Sequence, residues 1–282
     1  DEENEDELNK SNISNFNIDK KKEDKFKETF KIVNDSEKKY NYINKSILYL
    51  YKNNYDFFII YILDKLTYAG NLDNIDSLLK EDRVHFVQGD ILDVHKLRKT
   101  FDIIECGGVL HHMSDPKKGL VSLKRLLKPN GRMLLGLYSE HARGQNGFNL
   151  VEFIDLAKSL GVTEDLTSIR AFREKLVKLN HHKGDSWDVA GFQDFYSTSE
   201  FRDLFLNRLE IRMEIPEIKK LLDQSGLEFK GFTSLKNRVF EQFRNEHPDE
   251  DDLLDLDKWN DFEVKNPRTF IWMYQFWCDK KG

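Results

Sequence analysis

FDIIECGGVLHHMSDPKKGLVSLKRLLKPNGRMLLGLYS, residues 101–139, decides the fold class. Its first six residues, FDIIEC, form a short β-prone run that ends at two glycines. Asp115 then stands where a helix N-cap belongs, and Pro116 follows at the first helical position. Leu120, Leu123, Leu126 and Leu127 recur at helical spacing and give that helix one apolar face. Pro129-Asn130-Gly131 reads as a turn, and RMLLGLY (132–138) as the next strand. A strand, a helix and a strand joined this closely require a right-handed crossover and a parallel sheet.

The same alternation extends upstream. FFIIYIL (57–63) is a continuous apolar run, as expected of a strand buried on both faces. Asp73–Lys80 reads as a short helix, and VHFVQ (84–88) as another strand. Ligands of such sheets lie outside the carboxyl ends of the strands. Those ends are Asp64, Gly89-Asp90, Cys106–Gly108 and Tyr138-Ser139. The expected class is therefore α/β, a Rossmann-like, doubly wound and mostly parallel sheet. Leu150–Leu160, Glu164–Leu179 and Ser199–Arg212 read as helices of an insertion (146–212) lying over the ligand edge. Pro216–Gly226 is a further helix, with LEFKGF (227–232) and the aromatic tail FIWMYQFWC (270–278) as strands. This divides the chain into residues 1–56, a sheet half at 57–145, the insertion at 146–212 and a closing segment at 213–282.

Residues 1–56 contain DEENEDE and KKKEDK, and neither Gly nor Pro. Dense mixed charge with little apolar periodicity predicts a disordered tail, with one helix around Lys25–Val33 that can serve as a partner-binding segment. The chain starts with Asp, which points to a missing upstream piece. With 44 basic against 50 acidic residues, the net charge of −6 argues against a sequence-independent nucleic-acid binder. Two cysteines, Cys106 and Cys278, are too few for a disulfide framework and fit a reducing, cytoplasmic compartment. The most apolar run is far shorter than the roughly 20 residues that span a bilayer, so no membrane is expected.

Asp64 follows a strand, where a carboxylate can accept both ribose hydroxyls of an adenosine; a surface acid in a turn is the alternative. Asp90, one strand on, is the matching acceptor for an adenine amine. The adjacent pairs His111-His112 and His181-His182 lack partners at metal-ligand spacing, so no metal is expected. PDEDD (248–252) reads as a solvated loop leading into a helix, since it lacks the alternating acids and central Gly of a calcium loop. Neither G-x-S-x-G nor G-x-x-x-x-G-K occurs.

Residues 101–139 resemble the fourth-to-fifth-strand block of class I S-adenosylmethionine-dependent methyltransferases. GLYSEHAR, DFYSTSEFRDLF, PEIKKLLDQSGLEFKGF and MYQFW are similar to the C-terminal half of bacterial methyltransferases fused to tetratricopeptide repeats. The resemblance covers roughly residues 84–282 and implies an antiparallel pair of last strands. It also implies S-adenosylmethionine as cofactor and transfer of its methyl group to an unidentified acceptor. On that footing Asp64 holds the ribose, and Asp90 with Ile91 the adenine. Glu105, Cys106 and Gly107 lie near the methionine part. His111, His112 and Tyr138 are candidate bases, and Tyr196, Arg202 and Asp203 candidate acceptor contacts.

Two departures stand out. The D/E-x-G-x-G loop of these enzymes has no counterpart before Asp64, and the first glycine of the chain is Gly70. The first strand is therefore expected to be missing or unrecognisable. Moreover, YILDKLTYAGNLDNIDSLLKEDRVHFVQGDI (61–91) resembles dTDP-glucose 4,6-dehydratases, which bind NAD on a similar sheet. Their Tyr-x-x-x-Lys dyad has one counterpart in spacing, Tyr61 and Lys65, which straddles a strand tip and cannot serve. The alternatives to a working methyltransferase are a degenerate methyltransferase-like interaction module without catalysis and an NAD-dependent nucleotide-sugar dehydratase fragment.

Overall fold

The computed structural model of the chain describes residues 27–32, 58–66, 72–144, 150–183, 195–206, 209–270 and 273–281. Within them lies a seven-stranded sheet built from β1 (Lys27–Ile32), β2 (Phe58–Asp64), β3 (Val84–Gln88), β4 (Phe101–Gly107), β5 (Leu127–Leu137), β6 (Leu227–Phe232) and β7 (Tyr274–Lys280). The spatial order is β3-β2-β1-β4-β5-β7-β6. β1 to β5 run parallel, whereas β7 is antiparallel to both of its neighbours, β5 and β6. The expected α/β, Rossmann-like sheet with an antiparallel last strand is thus present.

The first strand is present as well, which corrects two expectations. Lys27–Ile32 is a strand where a helix or disordered tail was expected. It lies inside the sheet, paired from Lys27↔Phe58 to Ile32↔Leu63 on one side and from Thr29↔Ile103 to Ile32↔Cys106 on the other. The remainder of 1–56 lies outside the described residues.

Helix α1 (Pro116–Leu126) begins as read, with the Asp115 carboxylate accepting the Lys118 amide, and buries Leu120, Leu123 and Leu126. The Pro129-Asn130-Gly131 turn proves to be a bulge inside β5. Pairing with β4 jumps from Phe101↔Leu127 to Ile103↔Arg132. Asp73–Lys80 forms two 3-10 turns, Leu72–Ile75 and Leu78–Lys80, in place of one helix.

After β5 come α2 (Glu140–Arg143), α3 (Leu150–Ser159), α4 (Leu166–Lys183) and α5 (Thr198–Phe201), the last running into a π turn, Arg202–Leu206. Leu150, Phe153, Phe172, Leu176, Phe201 and Phe205 give this insertion a small core of its own. Helix α6 (Ile215–Ser225) ends at Gly226, whose φ of +64° is the left-handed cap that favours glycine. Between β6 and β7 lie α7 (Asn237–Glu246) and α8 (Leu256–Lys265). Trp259 of α8 stacks on Phe243 of α7, with ring centroids 3.8 Å apart. Both join the main core around β4 to β7. PDEDD was expected to be solvated, yet Asp252 is buried and paired with Lys258 of α8. Burial without that cation would leave its carboxylate uncompensated. Among the described residues no helix is long and apolar enough to cross a membrane.

Candidate functional site

Asp64 and Asp90 reach the same sheet edge from adjacent parallel strands. Asp64 is the last residue of β2, in register with Gln88 of β3, and Asp90 follows two residues later. The Asp64 side chain is buried, its Oδ1 accepting the Leu66 amide at 2.6 Å. The Asp64 carbonyl accepts the Gly89 amide. Asp90 caps the 3-10 turn Ile91–Leu97 through the Leu92 amide and pairs with Lys65 at 2.8 Å. Those two hydrogen bonds hold its carboxyl below the usual carboxylate range, the backbone one contributing most. Ile91 packs into the main core.

Two strands away, β4 ends in Glu105, Cys106 and Gly107. The pleat turns Cys106 into the core, where its side chain is fully buried, so only its backbone is available at the edge. Gly107 is different. Among the described residues, a Cβ built on it would meet nothing within 4 Å. Gly136 opposite is packed, its Cβ position lying 2.7 Å from Met273 Sδ and 3.0 Å from Gly107 Cα. Carboxylates and a glycine along the same sheet edge fit a bound adenosyl cofactor.

The three candidate bases come together. His111 stacks on Tyr138 with centroids 3.7 Å apart, and His112 meets His111 edge-on at 4.3 Å. His111 and Tyr138 are buried beneath residues 209–213. The Ile211 amide donates to the His111 carbonyl, and the Met213 amide to the Tyr138 carbonyl. His112 Nδ1 lies 2.9 Å from the Leu209 carbonyl.

Arg143, in α2, covers the other side of Tyr138, with its guanidinium carbon 3.9 Å from the ring centroid. It forms a two-pronged pair with Glu210 at 3.0 and 2.7 Å. The two side chains are only 2% and 8% exposed. Arg212 adds a bond to Glu140 at 2.8 Å.

The insertion candidates do not join this stack in the same way. Tyr196 is exposed, against Phe195. Arg202 donates to the Glu164 carbonyl and so braces the α3–α4 connection. Asp203 lies in the π turn. His181 and His182 fall in the last turn of α4. Among the described residues, no group of three His, Cys, Asp or Glu side chains is placed to hold a metal.

Sequence reasoning missed Glu263. This fully buried carboxyl in α8 accepts Ser139 Oγ–H at 2.6 Å and Tyr274 O–H at 2.7 Å. Its spacing from Leu256 and Trp259 places it on the buried face of its helix, a signal the sequence does carry. Burial pushes the Glu263 carboxyl up from its usual range, against the lowering effect of its two hydroxyl donors. An acid whose folded value is raised contributes its full stability below the unfolded value, and loses it as pH rises through the folded one. Glu263→Gln is therefore expected to gain melting temperature relative to wild type as pH rises from the usual glutamate range through the raised folded value. Thermal melts across that window check it, and a constant difference would refute the assignment.

Residues 64–177 match a family model described as a methyltransferase domain. An uncharacterized protein of Synechococcus sp. is 29% identical over 158 residues, covering 54% of this chain and 37% of its own length. A mitochondrial ubiquinone biosynthesis O-methyltransferase of Schizosaccharomyces pombe is 37% identical over 57 residues, 20% of each chain. Among solved structures, PKMT2 from Rickettsia typhi superposes with a TM-score of 0.60 at 16% identity, over 90% of this chain and 49% of that one. The same protein with AdoHcy bound gives 0.58. The CurJ carbon methyltransferase gives 0.51 at 11% identity, over 98% of this chain and 54% of that one. The chain thus spans about half or less of these relatives' lengths, and it shares the Rossmann-like fold of the solved methyltransferases.

Proposed function

We propose that the chain is a class I methyltransferase domain that binds S-adenosylmethionine at the β1–β4 strand ends and methylates an acceptor brought in beneath the helical insertion. One observation carries this reading: Asp64 at the end of β2 and Asp90 just past the end of the parallel β3 share one edge of the sheet with Gly107 at the end of β4. It is supported by the methyltransferase-domain match over residues 64–177. Bound, the cofactor supplies a sulfonium-activated methyl group. Asp64 accepts the ribose hydroxyls, and Asp90, with Ile91 packed behind it, receives the adenine. Glu105 and the Cys106–Gly107 backbone flank the methionine part. Such a site works mainly by alignment and exclusion of water. His111, His112 and Tyr138 form the acceptor wall, with His112, the more exposed of the two histidines, as the base. Tyr196, Arg202 and Asp203 lie on the acceptor side of the insertion.

Calorimetric titration with S-adenosylhomocysteine, and with NAD in a parallel cell, tests the reading. Micromolar binding of the first alone is expected. Asp64→Ala should weaken it by about 1.5–3 kcal/mol, the range for a hydrogen bond to a charged group. Unchanged affinity in a folded variant would remove Asp64 from the site.

A second reading rests on one sequence fact: no glycine occurs between β1 and Gly70. Without a glycine there to admit the cofactor, the domain is a non-catalytic interaction module, docking through the charged N-terminal segment outside β1 or an upstream repeat domain. Silence in both cells would favour it. Binding of NAD alone would favour the dehydratase-like character of residues 61–91.

A further inference from the structure

The geometry points to Glu263 as a positioning residue that sets the acceptor wall from behind the sheet, acting through Ser139. The inference rests on the proposed methyltransferase reading for its meaning, though its geometry stands apart from it.

Glu263 lies in α8, between β6 and β7, and no residue of α8 belongs to the stack of His111, Tyr138 and Arg143. Its two carboxyl oxygens nevertheless receive Ser139, which directly follows Tyr138, and Tyr274, which pairs with Leu137 at the end of β5. Ser139 Oγ uses its hydrogen on Glu263 and accepts the Ala142 amide with its lone pair at 3.0 Å. That second bond caps α2, the four-residue helix that carries Arg143. Arg143 in turn covers the Tyr138 ring and holds Glu210 of the covering segment. The backbone repeats the linkage, since Ser139 bridges Met213 and the Glu140 amide donates to the Met213 carbonyl.

A chain of contacts therefore runs from Glu263 to Ser139, α2, Arg143, Tyr138 and His111. A buried hydroxyl that both donates and accepts has one satisfied orientation, so it transmits position instead of averaging over rotamers. Helix α2 is too short to hold its direction without such a cap. Removing the Glu263 carboxyl frees Ser139 to turn, and the first turn of α2 loses its acceptor.

The test is histidine NMR on the full chain, with the ring carbons labelled. His111 is assigned from the resonance lost in His111→Asn. Stacked on Tyr138, the His111 ring proton carries a ring-current displacement. Glu263→Ala and Ser139→Ala are each expected to abolish that displacement, and Glu263→Gln, which keeps an acceptor for Ser139, to retain it. Loss of thermal stability alone would not produce this pattern. Either alanine variant folded with the His111 resonance unmoved overturns the proposal; should Glu263→Ala fail to fold, Ser139→Ala, which removes a single hydroxyl, decides. S-adenosylhomocysteine affinity is measured alongside and is expected to stay unchanged in these variants. Absence of binding in wild type would sink the methyltransferase reading, while the histidine resonances would still decide the role of Glu263.

Discussion

A chain that starts at residue 41 should show no cooperative unfolding transition. β1 lies inside the sheet and pairs with β2 and β4. Its removal leaves two parallel edges facing each other across a vacant position, with unpaired amides and carbonyls. Phe30→Pro makes the same point with one residue. Phe30 is in register with Tyr61 on one side and Ile104 on the other. Proline there removes a ladder donor from a strand paired on both edges, a position where sheets do not accommodate it. Circular dichroism and a urea melt of both variants check it. A truncated chain that melts like wild type would show that residues 27–32 contribute nothing to the sheet.

The strand was hidden for a physical reason. A central parallel strand is ordinarily a continuous apolar run, as FIIYILD in β2 nearly is. KETFKI sets only Phe30 and Ile32 as apolar residues inside a stretch dense in lysine and glutamate, so composition argues for a solvated segment. Only the topology, which leaves one position empty between β2 and β4, requires a strand there. By contrast, β3 and β6 were legible at their observed bounds, because VHFVQ and LEFKGF are bounded by turn residues. The positions of Asp64 and Asp90 at the sheet edge were legible too, since they depend on local sequence alone. Arg143–Glu210 and Ser139–Glu263 were not, because their partners lie 67 and 124 residues apart in sequence. Periodicity can place a polar residue on a buried face but cannot say which distant group will neutralise it.

That dependence sets the second large effect, at Arg143 and Glu210. Glu210→Ala removes two carboxylate acceptors from a guanidinium only 2% exposed. Breaking a buried pair from one side strands a charge, which costs about 3–5 kcal/mol. Glu210 also lies 3.9 Å from Arg212, which keeps its own bond to Glu140, so the loss falls mainly on Arg143. Replacing both partners with apolar residues, Arg143→Met with Glu210→Leu, removes the stranded charge along with the pair. The double variant should therefore recover most of the stability lost by Glu210→Ala. Urea denaturation of Arg143→Met, Glu210→Leu and the double variant gives the coupling directly. Strict additivity would mean that the pair does not hold residues 209–213 over Tyr138. A large coupling with no change in the His111 resonance would mean that the pair fastens the covering segment, while the ring stack is set from the Ser139 side.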